Sequence, residues 1–262
     1  TSGGVTVGLE NADGGFIVGL SGGTRGLTKA IEFEGDLVLE GDAFTNWTPT
    51  TTWLQVNDTG TDYIGETLTV KDGSYTFANL PDDTFGIAVD DLEARFGNAF
   101  ALTGDLAFRK SGETLRAVGH NAGARIGSDT FGIGVTGADL GLLIQPDGTR
   151  ALEIANGSLD LAAGTVGTVA ATNVRVGWNT TGIDLSDPAA DLHTIDVGPL
   201  SYTFQFLTDA TGPQGFAVDG FTLDIAGFVS IGGDFPFRDD AGTVSALSSN
   251  ATTTLGTGGF EI

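Results

Sequence analysis

From Leu92 to Phe108 the apolar residues fall on even positions: Leu92, Ala94, Phe96, Phe100, Leu102, Leu106 and Phe108. Moved on by 129 positions, the same beat is kept by Phe221, Leu223, Ile225, Val229, Ile231, Phe235 and Phe237. A period of two sends alternate side chains to opposite faces of an extended chain, so both stretches predict strands with one buried face. Phe96, Phe100, Leu102, Leu106 and Phe108, with Ile225, Val229, Ile231, Phe235 and Phe237, are therefore expected in the core. Asn98 and Gly227 mark a bend between two strands in each stretch. Further strand-like runs lie at 5–9, 16–20, 37–39, 53–56, 68–70 and 75–77, and at 141–144, 151–155, 174–178 and 202–207. Gln145-Pro146-Asp147-Gly148, Asn11-Ala12-Asp13-Gly14, Lys110-Ser111-Gly112 and Lys71-Asp72-Gly73 read as tight turns, because Pro presets the turn dihedral and Gly accepts positive φ. Short connections imply antiparallel pairing. No stretch of useful length has a helical period.

The chain reads as one unit written twice. Residues 85–133 lie over 214–262 without a gap, with 15 of the 49 positions identical. Ala88-Val89-Asp90, Gly104-Asp105 and Phe108-Arg109 recur as Ala217-Val218-Asp219, Gly233-Asp234 and Phe237-Arg238. Further back, with small indels, Ser74-Tyr75-Thr76-Phe77 recurs as Ser201-Tyr202-Thr203-Phe204. Asn57-Asp58-Thr59-Gly60 recurs as Asn179-Thr180-Thr181-Gly182, and Gly8-Leu9 with Asp13-Gly14 as Gly141-Leu142 with Asp147-Gly148. The copies differ mainly at 37–52, which is longer in the first, and at an inserted 187–191 loop in the second. In this alignment Ile262 falls on Ile133 and Thr1 on Gly134. The expected organisation is two units, 1–133 and 134–262, from a longer array.

Composition narrows what such an array does. The net charge is −23, which repels phosphate backbones and anionic membrane surfaces and leaves cations as the favoured small partners. There is no Cys, so disulfides, thiolate metal sites and cysteine catalysis are excluded. Absence of Met as well is compatible with life outside the cell. No run has the length of a transmembrane helix.

Few residues carry chemistry. His120 and His193 are the two histidines, and the repeat partner of His120 is Ser249. No nucleophile elbow, zinc-protease helix or phosphate loop is present, so an enzyme is the least expected class. Asp90/Asp219, Asp105/Asp234 and Asp62/Asp184 recur, and Asp105 and Arg109, like Asp234 and Arg238, share the polar face of a strand, where each is expected to pair with a neighbour across the sheet. The loops opened by Asn57, Asp58 and Asp62, and by Asn179 and Asp184, offer oxygen ligands. They are the candidate calcium sites, set against the simpler reading that Asn and Asp satisfy the turn itself. Five Asn-x-Ser/Thr triplets occur, at Asn46, Asn57, Asn156, Asn179 and Asn250.

The run Phe131-Gly-Ile-Gly-Val-Thr-Gly-Ala-Asp-Leu-Gly-Leu-Leu-Ile, then Pro146-Asp-Gly, then Val174-Arg-Val-Gly-Trp-Asn-Thr-Thr-Gly resembles tandem repeats of giant secreted bacterial surface proteins, adhesin-like or matrix-like. The resemblance covers most of both copies and transfers no catalytic residue. It implies an extracellular, elongated, non-enzymatic role. The expected fold is all-β with antiparallel strands, two repeats of about 130 residues forming either an elongated β-sandwich array or a continuous solenoid-like body. The expected function is a structural segment of a surface fibre, stalk or filament whose partners are further copies of the repeat, without nucleic acid or membrane insertion. A calcium- or glycan-binding adhesin module is the alternative. An outer-membrane barrel is disfavoured by the scarcity of Trp and Tyr for aromatic girdles.

Overall fold

The computed structural model describes residues 6–19, 27–40, 51–96, 100–127, 131–163, 167–209, 212–225, 228–240 and 243–255. In chain order the strands are β1 (Thr6–Gly19), β2 (Thr28–Glu40), β3 (Thr51–Asn57), β4 (Thr67–Val70), β5 (Gly73–Thr76), β6 (Thr84–Phe96), β7 (Phe100–Ser111), β8 (Thr114–Gly127) and β9 (Phe131–Ile144). They continue with β10 (Arg150–Ala163), β11 (Thr168–Asn179), β12 (Thr194–Val197), β13 (Leu200–Thr203), β14 (Gly212–Ile225), β15 (Val229–Asp240), β16 (Thr243–Ala246) and β17 (Ser249–Leu255). No helix occurs among the described residues.

Thirteen strands make one antiparallel sheet in the order β1-β2-β3-β6-β7-β8-β9-β10-β11-β14-β15-β16, with β17 also on β15. The all-β, antiparallel expectation holds. The solenoid does not: the sheet neither coils into one nor closes into a barrel. Nor do the described strands form two stacked sheets of comparable size, as a sandwich would need. The chain instead meanders, most strands pairing antiparallel with the next in sequence, and this spreads one layer sideways. The junction of residues 133 and 134 lies inside β9, which pairs with β8 on one side and β10 on the other.

Two connections break the meander. Residues 58–83, between β3 and β6, carry hairpin β4–β5, and residues 180–211, between β11 and β14, carry hairpin β12–β13. We call these lobe 1 and lobe 2. Both fold back onto the same face of the sheet. The row they cover runs Gly15, Glu32, Gln55, Gly86, Arg109, Arg116, Leu143, Ala151, Asn179, each residue paired with the next. The larger core lies under lobe 2, where Ala88, Ala107, Val118, Leu143 and Ala151 of the sheet meet Leu185, Ile195, Val197, Tyr202, Phe204 and Leu207. A smaller one under lobe 1 joins Ala30 to Phe77 and Leu80.

Which face is covered corrects the expected core. Leu102, Leu106, Phe108, Val229, Ile231 and Phe235 are only half-buried, and Ile225 is exposed. The side chains of Phe96, Phe100 and Phe237 lie outside the described residues. Alternation was read correctly, but the even positions of β7 point away from the lobes. The residues buried there are the small neighbours Ala88, Ala107 and Val118, on which a hairpin can sit closely. The opposite face shows a row of larger apolar groups, Phe33, Leu54, Ile87, Phe108, Ala117, Leu142, Leu152 and Trp178, in continuous register.

A second correction concerns turns. Asn11-Ala12-Asp13-Gly14 is no hairpin: β1 runs straight through it, with a bulge between Glu10 and Asp13. Similar bulges cross the sheet at Val89/Leu92, Thr103/Asp105, Gly119/Ala122, Ile154/Gly157, Thr172/Arg175, Val218/Phe221 and Gly232/Asp234. They hold left-handed residues Asn11, Asp91, Asn121, Asn156, Asn173 and Asn250, types that tolerate positive φ. Aspartates on adjacent strands fasten them. Asp36 accepts from Asn11 Nδ2, Asp105 from the Asp91 amide, Asp139 from Asn156 Nδ2 and Asp234 from Asn250 Nδ2. The other three predicted turns lie where expected, after β9, β7 and β4.

Registers recur at the shift of 129. In β7–β8, Phe108 faces Ala117 and Arg109 faces Arg116; in β15–β16, Phe237 faces Ala246 and Arg238 faces Ser245. In β6–β7, Val89 faces Leu106 and Leu92 faces Gly104; in β14–β15, Val218 faces Phe235 and Phe221 faces Gly233.

Candidate functional site

The most specific chemistry on the lobed face is a buried carboxylate beneath each lobe. Glu153 on β10 is fully buried. Its Oε1 accepts from the Tyr202 hydroxyl at 2.9 Å and the Gln205 amide at 2.9 Å, and its Oε2 from the Phe206 amide at 3.1 Å. Glu32 on β2 is 2% exposed and does the same for lobe 1. Its Oε1 accepts from the Tyr75 hydroxyl at 2.8 Å and the Ala78 amide at 2.9 Å, and its Oε2 from Gln55 Nε2. A carboxylate is acceptor-only, so it can gather donors from a hairpin end that has no strand partner.

Burial pushes the Glu153 carboxyl above its ordinary value, against the pull of the Phe206 and Gln205 amides and the Tyr202 hydroxyl. Burial and the adjacent carboxylate push both Tyr202 and Tyr75 up. Each tyrosine ring lies flat enough on the sheet to require glycine below it. A Cβ on Gly141 would collide with the Tyr202 ring, and one on Gly15 with the Tyr75 ring. Structurally, then, Gly141 corresponds to Gly15. The sequence alignment set Gly141 against Gly8 instead, seven residues earlier in β1.

The loop asparagines form a second clamp. Asn57 Nδ2 donates to the carbonyls of Thr61 (2.8 Å) and Leu80 (3.0 Å), while its Oδ1 accepts from the Thr59 amide and hydroxyl. Asn179 Nδ2 donates to Ile183 (2.8 Å) and Thr208 (2.7 Å), and its Oδ1 accepts from the Thr181 amide and hydroxyl. Both side chains are buried and tie the first turn of a lobe to its exit.

The acids of the calcium candidates are dispersed. Asp58 pairs with Lys29 at 2.8 Å, and this bond holds its carboxyl below the usual range. Asp62 accepts from the Asp82 amide, and Asp184 from the Ser186 amide and hydroxyl. Among the described residues no group of three His, Asp or Glu converges on one point.

His120 on β8 bridges sheet and lobe. Its Nε2 is 2.7 Å from the Ser201 carbonyl, and its Nδ1 is 3.4 Å from Asp139 Oδ1. Both ring nitrogens are thus engaged, one of them by backbone, which is the arrangement of a tether. His193 contacts the Leu185 carbonyl within lobe 2. Asp105 takes its partner from the neighbouring strand, where it fastens the bulge in β6, while Arg109 donates to the Asn79 carbonyl of lobe 1 at 3.2 Å.

Sequence reasoning found the tyrosines and the asparagines but missed Glu32, Glu153 and the bridging role of His120. The available signal was the recurrence of Ile31-Glu32-Phe33 as Leu152-Glu153-Ile154, a charge between two large apolar residues ahead of each Tyr-x-Phe hairpin. Outside the lobes, a groove of about 330 Å³ on the opposite face is lined by Leu159, Phe216, Val218, Phe221, Ile231 and Phe235, with no polar side chain. The chain matches no family model, no curated protein and no solved structure.

Proposed function

We propose that this chain is a structural, non-enzymatic segment of a bacterial surface fibre or stalk, built of two tandem units, residues 1–133 and 134–262. One observation supports it above the others: the carboxylate–tyrosine clamp and the asparagine clamp are each built twice. Their hydrogen bonds hold lobes to a sheet. Acidity and the absence of Cys and Met fit an extracellular place. The partners in this reading are further copies of the unit. Membrane insertion is no part of this reading.

A calcium- or glycan-binding adhesin module is the alternative and would use the exposed carboxylates of Asp58, Asp62 and Asp184. A calcium-dependent rise in Tm, lost in Asp62→Asn with Asp184→Asn, is its signature. The structural reading is tested by sequencing the flanking coding region. Further copies of the apolar-Glu-apolar strand followed by a Ser-Tyr-Thr-Phe hairpin, spaced like the two here, are expected. Flanks without them contradict it.

A further inference from the structure

We infer that the open edge of β1, roofed by hairpin β4–β5, is a slot for the β15–β17 edge of a second copy of this chain; the inference rests on the structural reading above and adds the contact surface and register.

The precedent lies inside the molecule. Hairpin β12–β13 spans three strands: β13 rests on β9, and both strands of the hairpin reach over β8 and β7. Ile195 and Val197 of β12 are thereby buried, at 1% and 0% exposure. In lobe 1 the same hairpin has only part of its floor. β5 rests on β1, the strand that corresponds to β9, and beyond β1 no described strand follows. Leu68 and Val70 stand where Ile195 and Val197 stand, each hairpin fixed by the same Thr–Thr contact, Thr67 to Thr76 and Thr194 to Thr203. Val70 is 66% exposed. Between the overhanging hairpin and the edge is a groove of about 510 Å³ lined by Gly14, Gly15, Phe16, Leu68, Val70 and Tyr75.

The missing floor has a counterpart at the far edge. Val118, which lies beneath lobe 2 opposite Ala107, corresponds through the shift of 129 to Leu247, whose amide donates to the Pro236 carbonyl. Val118 is buried and Leu247 is 74% exposed. Val118 pairs with Gly141, the equivalent of Gly15. Copying that register sets Leu247 of the incoming chain opposite Gly15, under Val70. Ala246 then faces Phe16 and Val244 faces Val18. Phe16 and Val18 are 61% and 46% exposed. One docking register therefore covers four apolar groups that solvent now reaches, and it pairs backbone groups along two open edges. The contact is head to tail, so it propagates linearly.

The test is sedimentation velocity on Val70→Asp and Leu247→Asp chains, both at exposed sites where folding should be untouched. The wild-type chain should form a concentration-dependent ladder. Each variant alone should be monomeric, because one of its two ends is blocked. An equimolar mixture should recover a dimer and stop there, since one sound slot meets one sound tail. Ser249→His, which supplies at the tail the histidine that ties β8 to Ser201, should lengthen the wild-type ladder. A monomeric wild type, variants that associate as it does, or a mixture that stays monomeric would each overturn the docking slot. None of these would touch the reading as a repeat segment, which the flanking sequence decides.

Discussion

Lobe 1 and lobe 2 are fastened by the same bonds but stand on different floors. In both, a buried glutamate takes the tyrosine hydroxyl and a hairpin amide, and a buried asparagine closes the loop. Lobe 2 has the full width of β7, β8 and β9 beneath it, and every large apolar group of β12 is buried there. Lobe 1 hangs over the edge of β1 and leaves Val70 in water. The difference teaches that a polar clamp sets where a hairpin sits, while apolar burial sets how firmly it stays. Burial at roughly 25 cal/mol per Å² is the term that lobe 1 lacks.

The sharpest way to break this comparison is to empty each core. Phe204→Ala and Phe77→Ala each remove a fully buried ring. A loss of about 3–5 kcal/mol is expected at Phe204, and the lower end of that range at Phe77, whose lobe can relax into its groove. Urea unfolding of both variants checks the order. Equal losses would mean that the floor under lobe 2 adds nothing.

The clamps come next. Glu153→Gln turns an amide NH₂ or a weaker oxygen toward the Gln205 and Phe206 amides, and about 1–3 kcal/mol should be lost. Glu32→Gln should cost less, because Gln55 can re-pair with the new amide. The same comparison holds for the glycines. Gly141→Ala must move a ring packed into the larger core, whereas the ring over Gly15 borders an open groove, so the thermal shift should be larger at Gly141.

The smallest effect is the pH dependence. The Glu153 carboxyl is raised in the folded chain, so between its ordinary value of 4.5 and the raised value the native state binds the extra proton. Stability from this group is therefore full below 4.5 and declines as pH rises through the folded value. Asp139 runs the other way. Burial alone would raise it, but hydrogen bonds from Asn156, the Asn121 amide and His120 outweigh that and hold it low. Its contribution is lost as pH falls below 3.8 through the folded value. Thermal melts of Glu153→Gln should lack the decline above 4.5, and melts of Asp139→Asn the loss in acid.

Strand positions and antiparallel pairing were legible because alternation and turn chemistry are local. Pro146-Asp147-Gly148 could only be a turn. Asn11-Ala12-Asp13-Gly14 ends in the same Asp-Gly, yet Asp36 on the next strand absorbs the Asn side chain, and a bulge results. That partner is 25 residues away and invisible to a local rule. Burial failed for a related reason. Period two says that two faces differ, but the lobes choose the face with Ala and Gly, where a hairpin can approach, over the face with Phe and Leu. The clamping glutamates were hidden because a single charge in a strand reads as its solvent face until the hairpin that covers it is placed.

The central claim, one clamp on two unequal floors, is read most directly by native-state hydrogen exchange of the two hairpins. The amides of β12–β13 should exchange far more slowly than those of β4–β5 in dilute monomer, since local opening follows buried contacts. Equal protection of the two hairpins, or slower exchange in β4–β5, would contradict the account.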